Sequence, residues 1–172
     1  MLPYVNIHTH RPTGSGIELR TEGVHPWDAD MRLVATLGER LSYAQAVGET
    51  GLDFVHGPSR EVQTEALRAQ LRLARERELP VVLHCVRAFE PLMRELAACE
   101  PRAVIFHGFI GSPEQARQAL AKGYFLSFGE RAFASPKTLA ALRETPLSQL
   151  FLETDDSPVP IEEIYARAAE AR

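Results

Sequence analysis

Six short runs rich in β-branched and aromatic residues alternate with segments of helical periodicity from one end of the chain to the other, and this alternation predicts an α/β fold with a largely parallel sheet. The runs are "YVNIH" (4–8), "AQAVGETGL" (44–52), "PVVLHC" (80–85), "AVIFHG" (103–108), "YFLSFG" (124–129) and "LFLETD" (150–155). At 172 residues, 45% hydrophobic and 24% charged, the chain has the length and composition of one domain, 1–172, with a sizeable core.

The first strand run is followed by an unusual connection. Only 13 residues, "RPTGSGIELRTEG", lie between His10 and Val24. A parallel crossover takes a dozen or more residues, most of them helical, so the first helix is missing. The expected architecture is therefore a TIM-like (β/α) barrel, distorted or incomplete, of about seven strands, with its active site at the C-terminal strand ends.

Later connections are regular. Residues 60–78 form the longest helical segment, charged outside, with Leu67, Leu71 and Ala74 inward. Phe89, Leu92, Met93 and Leu96 follow i, i+3, i+4, i+7 spacing, as do Ala116, Ala119, Leu120 and Gly123, so each segment offers one apolar stripe to a sheet. "SPEQ" at 112–115 supplies a Ser N-cap, a Pro at the first helical position and a Gln three residues on; Ser135-Pro136 repeats the start. At the end, "PIEEIYARAAEAR" places Ile161, Ile164, Tyr165 and Ala168 on one stripe, which a second copy in a homodimer or an altered packing of that helix would cover.

Composition excludes several classes. A net charge of −4 argues against a protein that coats nucleic acid, since non-specific binding needs many Lys and Arg on phosphates. No apolar stretch approaches the roughly 20 residues of a membrane span, and no secretory leader is recognisable, so a cytoplasmic protein without a membrane partner is expected. Cys85 and Cys99, without C-x-x-C spacing, read as reduced thiols. Cys85 faces away from His84, toward a helix.

The strand ends carry chemistry. His8 and His10 share a face because side chains alternate along a strand, and both sit where it runs out. Glu49, His84, His107 and Asp155 end four further runs, and in a (β/α) barrel all such ends converge on one mouth. Four imidazoles and two carboxylates are too many for one tetrahedral site with an open position but suit two divalent ions sharing a carboxylate. Ligation by N and O without thiolate favours Zn, Mn, Fe or Ni, with Mg also accommodated.

With these motifs in view, the chain resembles the TatD family of metal-dependent deoxyribonucleases within the amidohydrolase-like barrels. The motifs are "IHTH", "GVHPW", "VGETGLDF", "LPVVLHC", "HGFIGSPEQA" with "KGYFLSFG", and "LFLETDDSP", in order over residues 7–158. The abbreviated first βα unit resembles a compact branch of that family. By this resemblance, His8, His10, Glu49 and Asp155 would hold a first metal and Glu49 would bridge to a second held also by His84 and His107. Catalysis would rest on Asp155, as general base on the attacking water, and on Glu49. The implied reaction is phosphodiester hydrolysis, typically trimming DNA from an end.

Physical chemistry agrees with that expectation. Two divalent ions less the charges of Glu49 and Asp155 leave the mouth at about +2, a local cationic site on an acidic protein. Arg11, Arg87 and Arg131 follow strand ends and could clamp phosphate oxygens; His25 in "GVHPW" is placed to touch substrate or to make a structural hydrogen bond. Trp27 could stack a base, though a sole Trp beside a Pro more often packs in a core or rim. Glu153 shares the face of Asp155 and would orient a ligating imidazole. The substrate is DNA or a small phosphodiester; the alternatives are a hydrolase of the same barrel class acting on an ester or amide, and a degenerate barrel that binds metal without turnover.

Overall fold

A computed structural model describes residues 3–172. In chain order the elements are β1 (Val5–Asn6), β2 (Ile17–Glu18), β3 (Thr21–Glu22), α1 (Met31–Ala35), α2 (Leu37–Arg40), β4 (Ala46–Asp53), α3 (Arg60–Glu76) and β5 (Val81–Val86). They continue with α4 (Phe89–Cys99), β6 (Val104–Phe106), α5 (Pro113–Ala121), β7 (Phe125–Phe128), α6 (Pro136–Glu144), β8 (Leu150–Leu152) and α7 (Ile161–Ala171). They form two compact units, Arg20–Ile105 and a second made of the residues up to Leu19 together with Phe106–Arg172. All six runs read as strands contain one, and the class is the parallel α/β class expected of a TIM-like chain.

In the unit Arg20–Ile105, β3, β4 and β5 pair in parallel. The β4–β5 register shifts between Val47 and Thr50, beyond which Thr50 pairs with Leu83 and Gly51 with His84. That pairing requires a glycine: Gly51 has φ +145°, and a Cβ there would lie 2.0 Å from the His84 carbonyl oxygen. Helix α3 starts on a Ser59 side-chain cap and covers β4. Its inward stripe holds Leu67, Leu71 and Ala74 as expected, each fully buried, and burial of each leucine is worth roughly 1.5–3 kcal/mol. The stripe also buries two polar residues, Gln63 and Gln70. Gln70 Oε1 accepts from the Val24 N–H (2.7 Å) and its Nε2 donates to the Val24 carbonyl (3.1 Å), tying the segment before His25 to the helix. On α4, Phe89, Leu92 and Leu96 are buried, whereas Met93 is only half-buried.

In the other unit, β1 pairs with β2 in parallel through a connection without a helix, so the missing first helix is real. Strands β7 and β8 pair in parallel, and the Ile7 N–H donates to the Leu152 carbonyl (3.2 Å), laying the end of β1 against β8. Helix α5 opens with the full capping box, Ser112 and Gln115 each bonding the other's backbone, and α6 opens on Ser135. The stripe on α7 is covered within this unit: Ile161, Ile164 and Ala168 are buried. The Tyr165 hydroxyl donates to the Val5 carbonyl (3.0 Å) and its ring packs edge-on against Tyr4. The burial of this stripe within the unit leaves no exposed apolar stripe on α7 for a second copy to cover.

Candidate active site

Among the described residues, ligand-type side chains gather within each unit. In the unit containing the chain's start, the parallel bridge between Thr9 and Asp155 aligns "HTH" with "ETD". The His10 N–H donates to the Asp155 carbonyl (2.9 Å) and the Asp155 N–H to the His8 carbonyl (3.1 Å). Asn6 secures the same alignment, donating from Nδ2 to Thr154 Oγ1 (2.9 Å) and accepting the Thr154 N–H at Oδ1 (3.0 Å). Asp155 holds φ +53°, a left-handed conformation that Asp tolerates better than most residues and that is enriched at functional sites.

This backbone brings His8, His107 and Asp155 together, one potential ligand atom of each lying within 4.8 Å of the others. Asp155 Oδ1 is 3.8 Å from His8 Nε2 and 3.4 Å from His10 Nε2. His8 is buried, whereas the His10 side chain is 55% exposed at the rim. Behind the cluster, the fully buried Glu153 uses Oε1 to meet His107 Nδ1 (3.2 Å) and to accept the Gly108 N–H (2.7 Å). The expected orienting role of Glu153 therefore falls on His107. Burial raises the Asp155 carboxyl above its ordinary value, with the Glu153 charge adding to the rise and His107 opposing it.

The second cluster lies along β4 and β5, with Glu49 in the middle of β4 and His84 inside β5 rather than at the strand ends expected. Glu49 Oε1 is 2.8 Å from His84 Nδ1 and 3.1 Å from His25 Nε2, and Glu49, His84 and His25 form a second group with ligand atoms within 4.8 Å of one another. His25 Nδ1 accepts the Trp27 backbone N–H (3.1 Å), so the neutral ring carries its proton on Nε2, directed at Glu49. In that tautomer His25 donates to Glu49, the structural hydrogen bond expected as the alternative to substrate contact.

His84 turns its other nitrogen, Nε2, to Asp53 Oδ2 (3.1 Å). Asp53 also accepts from Trp27 Nε1–H (2.6 Å) at Oδ2 and from the Val55 and His56 N–H groups (2.9 Å each) at Oδ1. These donors outweigh burial and hold its carboxyl well below the usual range. Gln63 fixes the Asp53 backbone from α3, accepting its N–H (2.8 Å) and donating to its carbonyl (2.8 Å).

Asp53, Gln63 and Asn6 were missed by sequence reasoning. Asp53 is two residues beyond Gly51, which pairs with His84, so the β4–β5 register puts the two on one face; Gln63 and Gln70 sit at helical spacing from Leu67 and Ala74. Each carried a periodic signal hidden by its polar character.

Of the arginines named as phosphate clamps, Arg131 is ion-paired with Asp156 (3.2 Å), while Arg11 and Arg87 lie exposed directly after His10 and β5. Trp27 is 51% exposed, so it is not a core residue. Cys85 is half-buried, with its thiol pushed up to about 12 by burial, in keeping with a packing role.

The donor sets fit a divalent cation. Each cluster pairs a carboxylate with imidazole, without thiolate, and an imidazole in each is backed on its other nitrogen by a buried carboxylate, as metal-bound histidines commonly are.

The family described as "TatD related DNase" matches residues 18–169. The chain is 37% identical over 134 residues to the metal-dependent hydrolase YjjV of Escherichia coli, covering 76% of this chain and 52% of that protein. It is 37% identical over 151 residues to the 3′-5′ ssDNA/RNA exonuclease TatD of Cronobacter sakazakii, covering 78% and 56%. Human deoxyribonuclease TATDN3 is 33% identical over 133 residues, with 74% and 47% covered. The chain thus spans about half the length of the curated relatives it matches. The crystal structure of the E. coli TatD homologue YjjV superposes with a TM-score of 0.78 at 27% identity, covering 90% of this chain and 69% of that one.

Proposed function

From the premise that the chain belongs to the TatD-related DNase family, we propose that it is a metal-dependent phosphodiesterase that trims single-stranded DNA or RNA from the 3′ end. The observation that carries this reading is the pair of carboxylate-backed imidazoles, His84 on Asp53 and His107 on Glu153, each beside a second carboxylate, Glu49 or Asp155. His8, His10, His107 and Asp155 would hold one divalent ion, and Glu49 with His84 would hold a second. Bound, such ions lower the pKa of water toward neutrality and offset charge on the phosphoryl oxygens.

The chain's own residues do the rest. Asp155, set beside His8 and His10, accepts the proton of the attacking water. His25 directs its Nε2 proton at Glu49 and keeps that carboxylate turned to His84. Asp53 and Glu153 set the ring planes of His84 and His107. Arg11 and Arg87 are exposed cations for phosphate oxygens, whereas Arg131 must first leave Asp156.

The test pairs metal content by mass spectrometry with cleavage of 5′-labelled single-stranded DNA after chelation and re-addition of Mg, Mn or Zn, with Glu49→Ala and Asp155→Ala alongside. Cleavage restored by metal in the wild type and lost in both variants is expected. Bound metal with no cleavage of any phosphodiester would refute the reading in favour of an ester or amide substrate.

A further inference from the structure

Beside the Glu49–His84 cluster the chain exposes its sole tryptophan. The Trp27 ring lies edge-on to His25 (centroids 4.9 Å apart) and His84 (6.2 Å), and its face tilts toward His56 (5.2 Å). It is 51% exposed, and the His56 side chain is 60% exposed, with exposed Val55 next to it.

The ring is not loose. Its Nε1–H is held by buried Asp53, which the Val55 and His56 N–H groups hold in turn, so the indole presents its face in a fixed orientation. A preorganised aromatic face binds a flat ligand at little cost in rotamer entropy.

Charge at the same strand ends favours an anionic ligand. The Phe54 N–H donates to the Val86 carbonyl (3.0 Å), which brings exposed Arg87 out beside the 54–56 segment, and the Arg60 guanidinium lies 4.4 Å over the Phe54 ring. An exposed, anchored π-face with cations beside it matches a nucleotide, whose base stacks while its phosphate meets the cations.

We propose that Trp27, with His56 at its edge, is the stacking surface for a nucleobase of the single-stranded substrate, and that Asp53 positions it through the indole N–H. The inference rests on the phosphodiesterase reading of the neighbouring cluster and adds a residue that selects a base-bearing substrate.

Because there is one tryptophan, its emission reports on the site directly. The 172-residue chain is titrated with thymidine 5′-monophosphate and with 2-deoxyribose 5-phosphate, with and without Mg, correcting for absorbance. Quenching by the nucleotide alone is expected; equal quenching by both, or none by either, overturns the proposal. Binding of fluorescein-labelled oligo-dT, read by anisotropy, should weaken about 10-fold in Trp27→Ala and stay within about 3-fold in Trp27→Phe, which keeps a stacking face and loses the N–H. Equal weakening in two variants that fold by circular dichroism would assign Trp27 to anchoring Asp53 and overturn stacking. Base-dependent quenching without cleavage would remove the nuclease and leave the stacking site; cleavage without such quenching would do the reverse.

Discussion

Replacing Asp53 with Asn separates charge from shape at the best-connected buried carboxylate of the β4–β5 cluster. The Asn oxygen can still accept the Val55 and His56 N–H groups, but its amide nitrogen would stand where Oδ2 now accepts the Trp27 Nε1–H and faces His84 Nε2. A donor then meets the indole donor, and one charge-assisted bond of about 1.5–3 kcal/mol is lost together with the hold on His84. We expect Asp53→Asn to cost about 2–4 kcal/mol and lower Tm by about 5–10 °C, read by calorimetry and urea unfolding. Metal affinity should fall about 10- to 100-fold, the usual effect of removing a carboxylate behind a ligating imidazole, read by titration of the chelated protein. The pH dependence has a definite sign. The folded-state pKa of Asp53 is depressed, so its stabilisation is fully present above the unfolded value of about 3.9 and is lost as pH falls through the folded value. The gap between wild type and variant should therefore be constant near neutrality and close in strong acid. A variant within about 0.5 kcal/mol of wild type and with unchanged metal affinity would refute the positioning role.

Further outcomes follow from the same geometry. Gly51→Ala puts a Cβ 2.0 Å from the His84 carbonyl oxygen at φ +145°, so a loss of about 3 kcal/mol or more is expected; a soluble variant with a wild-type melt would contradict it. Tyr165→Phe removes the hydroxyl that bridges to the Val5 backbone and should cost about 1 kcal/mol in urea unfolding, with no change at all counting against that tie. With its thiol pushed up to about 12, Cys85 should resist iodoacetamide at neutral pH in the native protein and react in urea. Peptide mass spectrometry showing equal labelling in both states would refute its burial.

Much of the fold was legible because it rests on local periodicity. The runs read as strands contain strands, the Ser112 and Ser135 caps start helices, and the short link after His10 lacks a helix, since patterning and capping act within a few residues. The ligand-type residues were legible for a related reason: a histidine or carboxylate ending an apolar run stands out against its neighbours. The residues that hold them did not stand out. Asn6, Gln63 and Gln70 read as ordinary polar positions, and their roles emerge only when a partner up to 148 positions away supplies the matching donor or acceptor.

The sequence by itself determined the alternation of strand and helix, the family and the supply of imidazoles and carboxylates along the strands, because these are properties of residue type and short-range order. Only the tertiary structure decided which of those side chains meet. It put Asp53 behind His84 and Glu153 behind His107, gave His25 to Glu49, paired Arg131 with Asp156 and left the Trp27 ring exposed. The reason is physical: a hydrogen bond is settled by distance and direction, to a few tenths of an ångström, and those depend on register, backbone φ and the packing of whole elements.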